Sequence, residues 1–291
     1  MSLLGIAALQ LELAPGNNLD HIEAELRVLR ARFPWVRMAV LSELAAHGTS
    51  PTMAEEEGGP TERRFIALAK ELGLWLVPGS LFQRRGEAIF NATPVIDDTG
   101  RVVARYAKLF PFLPYEAGVT AGTEPLVFDM PGVGRIGLSN CYDMWFPETI
   151  RTLALLGAEI IIHPSLTNTV DREVELSIAR ANAAINQCFF LDINGAGRLG
   201  NGRSGAYGPG GTILYQAGTG HEVLAFEFDL EEVRRVRERG WHGLGQTLKS
   251  FRDSEIDFPL LASGGRRTDA VERLGPLAVP RQVGPAERRE A

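Results

Sequence analysis

The chain has 291 residues, 45% apolar and 23% charged, with a formal net charge of −6 at pH 7. These proportions fit a globular protein that buries a large core without covalent staples. The acidic balance, with no Lys/Arg block interleaved with aromatics, argues against nucleic acid as a partner. Two cysteines, Cys141 and Cys188, make no disulfide framework and point to a reducing, cytoplasmic setting. The N-terminal stretch lacks a basic leader, and no apolar run is long enough to cross a bilayer, so no membrane association is expected.

In chain order, residues 4–11 read as a buried strand. A helix over 20–33 follows, with Ile22, Leu26, Leu29 and Phe33 on one face and Asp20–Glu23 as a possible capping box. Val36–Ser42 is a strand, 61–72 a helix with Phe65, Leu68, Ala69 and Leu72 aligned, and Leu74–Leu81 another strand. Ile89–Ile96 and Val102–Lys108 read as strands joined by a turn at Asp98-Thr99-Gly100. Ile136–Asn140, Ile160–His163 and Phe189–Asn194 are further core strands, separated by helices 149–157 and 171–187. A last hairpin over about 204–229 turns at Pro209-Gly210-Gly211, and 231–239 is a charged helix. Strands interleaved with amphipathic helices predict an α/β architecture. The boundaries expected are a main domain over 1–258 and a tail or extended arm over 259–291, rich in Gly, Pro, Arg and Glu.

Cys141 lies where a strand-like run gives way to a helix-like one. At such a junction the helix dipole favours a thiolate, and a backbone N–H can face a reacting carbonyl. Cys188, inside an apolar segment, reads as structural. Glu43, Lys108 and Cys141 each end an apolar strand, so one rim of a sheet can present all three. A Cys141–His163 dyad is the alternative, because His163 also ends a strand. No HExxH or CxxC pattern calls for a metal, and the glycine-rich segments at 194–205 do not form a dinucleotide fingerprint, so no cofactor is expected.

Three motifs stand in the order Glu, Lys, Cys: Leu-Ser-Glu43-Leu, Tyr-Ala-Lys108-Leu-Phe-Pro and Asn-Cys141-Tyr-Asp-Met-Trp-Phe-Pro-Glu. Together they resemble the nitrilase superfamily of carbon–nitrogen hydrolases, over about residues 4–250. The resemblance implies a four-layer αββα sandwich and a Glu43–Lys108–Cys141 triad. It also implies a fourth residue, Glu116, eight positions after Lys108, which orients substrate or holds Lys108 and Glu43 in register. The Pro-x-Glu116 loop looks most like aliphatic amidases and formamidases. The segment after Cys141 looks closer to N-carbamoyl-amine amidases. True nitrilases usually carry Trp-Glu after the nucleophile, where this chain has Tyr142-Asp143.

The resemblance therefore implies a metal-free cysteine hydrolase cleaving a small amide or N-carbamoyl amine through a thioester. Glu43 is the base, and Lys108 with the backbone N–H of Tyr142 holds the oxyanion. The alternatives are a nitrilase or a catalytically silent interaction subunit of the same fold. Tyr115, Tyr142, Trp145 and His163 are the candidate substrate contacts, although Trp145 also suits a core and His163 also suits a plain strand end. Asp143 reads as a brace for the nucleophile loop or a local cap. The resemblance further implies a homo-oligomer, with residues 244–258 and the arm beyond as candidate contacts.

Overall fold

The apolar runs assemble into two sheets, each strand of the centre being buried on both faces. The computed structural model describes residues 2–113, 115–258, 261 and 268–274. The first sheet has eight strands. Its order is β16 (Glu222–Asp229), β1 (Leu3–Gln10), β3 (Met38–Leu41), β5 (Trp75–Val77), β7 (Ala88–Ile96), β6 (Leu81–Arg85) and β4 (Glu55–Glu56), with β8 (Val102–Ala107) also paired to β7. The second has six strands, in the order β15 (Ile213–Gln216), β14 (Gly205–Tyr207), β12 (Phe189–Asn194), β11 (Ile160–Ser165), β10 (Gly134–Leu138) and β9 (Leu126–Met130). A short parallel pair, β2 (Glu12–Leu13) with β13 (Ala196–Gly197), links the segments that follow β1 and β12.

Period-two alternation sorts the side chains into layers. Ile6, Ala8 and Val40 of the first sheet share a core with Leu138, Ile162 and Leu191 of the second. Their neighbours Ala7, Leu9, Ala39 and Leu41 point the other way, onto Ile22 and Leu26 of α1 (Leu19–Arg32) and Phe65 and Leu68 of α2 (Pro60–Leu72). On the far side, Ile161 and Phe190 meet Ile150 and Leu153 of α3 (Pro147–Leu155) and Ala179 and Ala183 of α4 (Arg172–Ile185). The result is the expected four-layer αββα sandwich. The charged helix α5 (Leu230–Arg239) inserts Leu230 and Val233 into the core between the sheets.

Several boundaries differ from the sequence reading. The run Leu74–Leu81 is two strands, broken at Pro78-Gly79. Gly79 has φ +74°, and a Cβ there would collide with the Ser42 carbonyl, so only glycine lets this turn approach the end of β3. The expected hairpin over 204–229 is also divided. β14 and β15 pair in the second sheet, whereas β16 crosses to pair with β1 along Leu3–Gln10, because its apolar residues fill the first sheet's edge. Helix α1 starts at Leu19, where Asn17 Oδ1 accepts from the Leu19 N–H at 3.0 Å, and the expected Asp20–Glu23 box does not start it. The expected arm over 259–291 lies largely outside the described residues.

Candidate active site

The turn that carries Cys141 is held by two bonds between Asn140 and Asp143. The Asn140 N–H donates to Asp143 Oδ2 at 2.9 Å, and the Asp143 N–H donates to the Asn140 carbonyl at 3.1 Å, at the start of a 3-10 helix, Cys141–Trp145. Asp143 is fully buried and also accepts from Tyr106 Oη at 2.6 Å and from the Phe110 N–H at 2.8 Å. Burial raises its carboxyl to about 6, against the pull of these bonds. Asp143 thus braces the turn and caps it, both roles the sequence had left open. Held this way, Cys141 takes φ +49°, a left-handed conformation that costs a non-glycine residue about 1–2 kcal/mol. The turn swings the thiol out of the line of β10 and into a cavity.

Glu43 follows β3 and is 4% exposed, and Lys108 follows β8 and is 2% exposed. Cys141 comes from the second sheet, so the convergence lies between the ends of two sheets and not on one rim. Two contacts hold the Glu43 loop. Its own N–H donates to the Ser165 carbonyl at 3.1 Å, and the next residue, Leu44, donates its N–H to Ser80 Oγ at 3.1 Å. Lys108 Nζ sits between two carboxylates, 2.8 Å from Glu43 Oε1 and 2.7 Å from Glu116 Oε2. Asn91 Nδ2 donates to both acids at 2.8 Å, and Asn140 Nδ2 donates to Asn91 Oδ1 at 3.1 Å. Glu116 Oε2 also accepts from the Phe112 N–H at 2.6 Å. This chain of bonds joins the two sheets beneath the cavity.

Burial pushes the Glu43 carboxyl up, and the nearby Glu116 charge adds to that rise while Lys108 opposes it. For Glu116 burial acts in the same sense, but the Lys108 ammonium outweighs it and holds the group below the usual carboxylate range. Lys108 is penalised by burial, yet the charges around it keep it firmly protonated. Burial, and then the Glu43 charge, push the Cys141 thiol well above its ordinary value. The dipole-favoured thiolate expected from the sequence therefore gives way to a neutral thiol beside a carboxyl of raised affinity for protons. Such a pair can pass one proton between them at the moment of attack.

The cavity, about 720 Å³, is lined by Glu43, Lys108, Glu116 and Cys141 together with Tyr115, Tyr142 and Trp145. Tyr115 is 68% exposed and stands at the rim. His163 is placed elsewhere. It is 0% exposed, absent from the cavity lining, and its Nδ1 lies 2.6 Å from Ser139 Oγ. Burial, with the Arg172 and Lys108 charges, depresses it to about 3. The ring is neutral and buried on β11, against the backbone of Cys141 but outside the cavity lining. Cys188 is buried in the layer beneath α3 and α4, with its thiol raised to about 12 by burial.

The sequence reading did not single out Asn91, Asp171 or Glu175, which join the site through pairing between strands and the approach of α4. The strand Ile89–Ile96 carried one detectable signal, a polar Asn at an otherwise apolar core position. Among the described residues, the one cluster spaced to hold a metal ion is His21, Glu25 and His221, which is not part of the cavity lining.

The fold and site define a carbon–nitrogen hydrolase. The family model of that name matches residues 7–238, and the chain belongs to that family, on the amidase-like side of the nitrilase superfamily. It is 28% identical over 243 residues to 2-oxoglutaramate amidase of Bacillus subtilis, covering 80% of this chain and 93% of that one. It is 31% identical over 233 residues to N-carbamoylputrescine amidase of Oryza sativa subsp. japonica, covering 69% and 72%. Among solved structures it resembles Saccharomyces cerevisiae Nit3, a member of branch 10 of the nitrilase superfamily, with a TM-score of 0.75, 25% identity, and coverage of 81% and 94%.

Proposed function

We infer that the protein hydrolyses the C–N bond of a small linear amide or N-carbamoyl amine by covalent catalysis at Cys141. The observation that carries this reading is the buried ion cluster at the thiol, with Lys108 at 2.8 Å from Glu43 and 2.7 Å from Glu116. Glu43 accepts the thiol proton as sulfur attacks the carbonyl carbon. The oxyanion forms against the Lys108 ammonium and the Tyr142 N–H. Collapse breaks the C–N bond, and the proton held by Glu43 goes to the departing nitrogen, releasing ammonia or an amine. A thioester remains on Cys141. Glu43 then takes a proton from water as its oxygen attacks, and returns that proton to the thiolate as the acid leaves. Glu116 serves to hold Lys108 and Glu43 in register. The chemistry of this sequence is complete without a metal.

The test measures ammonia from a panel of simple amides, carbamoyl amines and nitriles against a Cys141→Ala control, with a thiol reagent reporting on Cys141 and Cys188. Ammonia from amides or carbamoyl amines, and labelling of Cys141 before Cys188, are the expected results. No ammonia above the control, with no selective labelling, would return the chain to the silent-subunit reading. A nitrile turned over faster than every amide would overturn the substrate assignment. The resemblance also supports assembly into a homo-oligomer, and the two cysteines without a disulfide framework support a reducing, cytoplasmic setting. Truncation after about residue 258 is expected to lower the assembly mass or the melting temperature, and an unchanged mass and melting curve would count against that arm as a contact.

A further inference from the structure

Outside the catalytic cavity, three metal-ligating side chains meet where α1 passes the start of β16. His21 and Glu25 stand one turn apart on α1, at i and i+4, so both project from the same face of the helix. The helix itself is fixed, because Ile22 and Leu26 are buried against the first sheet. His221 reaches the same place from the turn that precedes β16. Its ring centroid lies 6.4 Å from that of His21, and its Nε2 lies 3.5 Å from Glu25 Oε2. One donor atom from each of the three residues falls within 4.8 Å of the other two.

The turn that carries His221 is fastened to the sheet. Gln10, fully buried at the end of β1, donates through Nε2 to the Gly218 carbonyl at 2.9 Å and to the Gly220 carbonyl at 2.5 Å. Its Oε1 accepts from the Ser204 N–H at 2.8 Å, which fixes the way the amide faces. Pairing of Gln10 with Glu222 sets the register of β16 one residue after His221. The three donors therefore ride on anchored elements, as a metal site requires. Two imidazoles and one carboxylate suit a borderline divalent ion such as Zn²⁺, whereas Mg²⁺ and Ca²⁺ favour an all-oxygen set. A tetrahedral zinc ion with bonds of about 2.0–2.2 Å holds its ligand atoms roughly 3.4 Å apart. The Glu25–His221 pair already has that spacing, and rotation of the exposed His21 ring closes the third side.

We propose that His21, Glu25 and His221 form a zinc-class metal site that clamps α1 to the start of β16, with water as the fourth ligand. None of the three lines the catalytic cavity, so the bound ion acts on stability and not on turnover. Calorimetric titration of Zn²⁺ into the full chain tests this, in a Cys141→Ala background that removes the competing cavity thiol. A single site is expected, with Mg²⁺ unable to displace the ion. His21→Ala and His221→Ala are each expected to weaken binding by more than the ~10–100-fold that loss of a supporting partner costs. His242→Ala, which removes an exposed imidazole elsewhere, is expected to leave binding unchanged. Zn²⁺ is expected to raise the melting temperature of the parent and not that of His221→Ala. Should a histidine variant fold poorly, Glu25→Gln reads the same loss. No binding by the parent, or binding of equal strength after His221→Ala or Glu25→Gln, would overturn the site. Equal competition by Mg²⁺ would overturn the zinc class.

Discussion

Asn91 Nδ2 donates a hydrogen bond of 2.8 Å to Glu43 Oε1, and the same amide reaches Glu116 Oε1 at the same distance. One neutral side chain on β7 therefore fixes the spacing of two acids that would otherwise repel. Asn91→Ala removes both donors and leaves the Asn140 amide without its acceptor. The expected outcome is a loss of about 1–3 kcal/mol in unfolding free energy and a fall in kcat larger than any change in KM. Denaturant melts and steady-state kinetics check it. A variant with wild-type kcat would show that Lys108 alone sets the register.

Lys108→Gln places two buried carboxylates side by side with no cation between them. Breaking a buried ionic cluster in this way costs about 3–5 kcal/mol, and in the proposed mechanism the lost oxyanion donor costs about 10²–10³ in rate. Thermal unfolding and activity are both expected to drop. Full stability in the variant would mean that water or a proton compensates the charge.

The bond from Tyr106 Oη to Asp143 Oδ2, 2.6 Å and fully buried, supports the turn that strains Cys141. Tyr106→Phe keeps the ring and deletes the donor. Stability should fall by about 1–3 kcal/mol, and alkylation of Cys141 should change rate while Cys188 stays protected. Unaltered Cys141 reactivity would separate the brace from the nucleophile.

His163 gives a pH dependence of definite sign. Its ordinary value of 6.5 is depressed to about 3 by burial and by the Arg172 and Lys108 charges, with Ser139 and Phe190 also against the ring. The unfolded chain binds a proton below 6.5 that the folded chain refuses until about 3. Stability present above 6.5 is therefore lost as pH falls through that window, at up to about 1.4 kcal/mol per pH unit for one proton. His163→Asn is expected to flatten the slope of unfolding free energy against pH by about one proton. Identical slopes would mean that the ring is charged in the folded state.

Most of the layer pattern was legible because hydrophobic periodicity is a local property. Ile22, Leu26 and Leu29 mark a helix face, and Ile160–Ile162 marks a doubly buried strand, whatever surrounds them. The break at Gly79 was not legible, since the need for it comes from the Ser42 carbonyl in another strand. The crossing of β16 to β1 is hidden for the same reason. An apolar run states that it will be buried and not which sheet edge will bury it.

By itself the sequence determined the residue types and their order: Glu43, Lys108 and Cys141 at the ends of apolar segments, with Glu116 in the loop after Lys108 and a turn after Asn140. Only the tertiary structure decided that these ends come from two sheets, that Asn91 binds both acids, that Asp171 and Glu175 enter the same cavity, and that His163 does not. The physical reason is that strand identity follows from side-chain period along a few residues. Distances between charged groups, and the desolvation that sets their proton affinities, follow from the pairing of segments far apart in the chain.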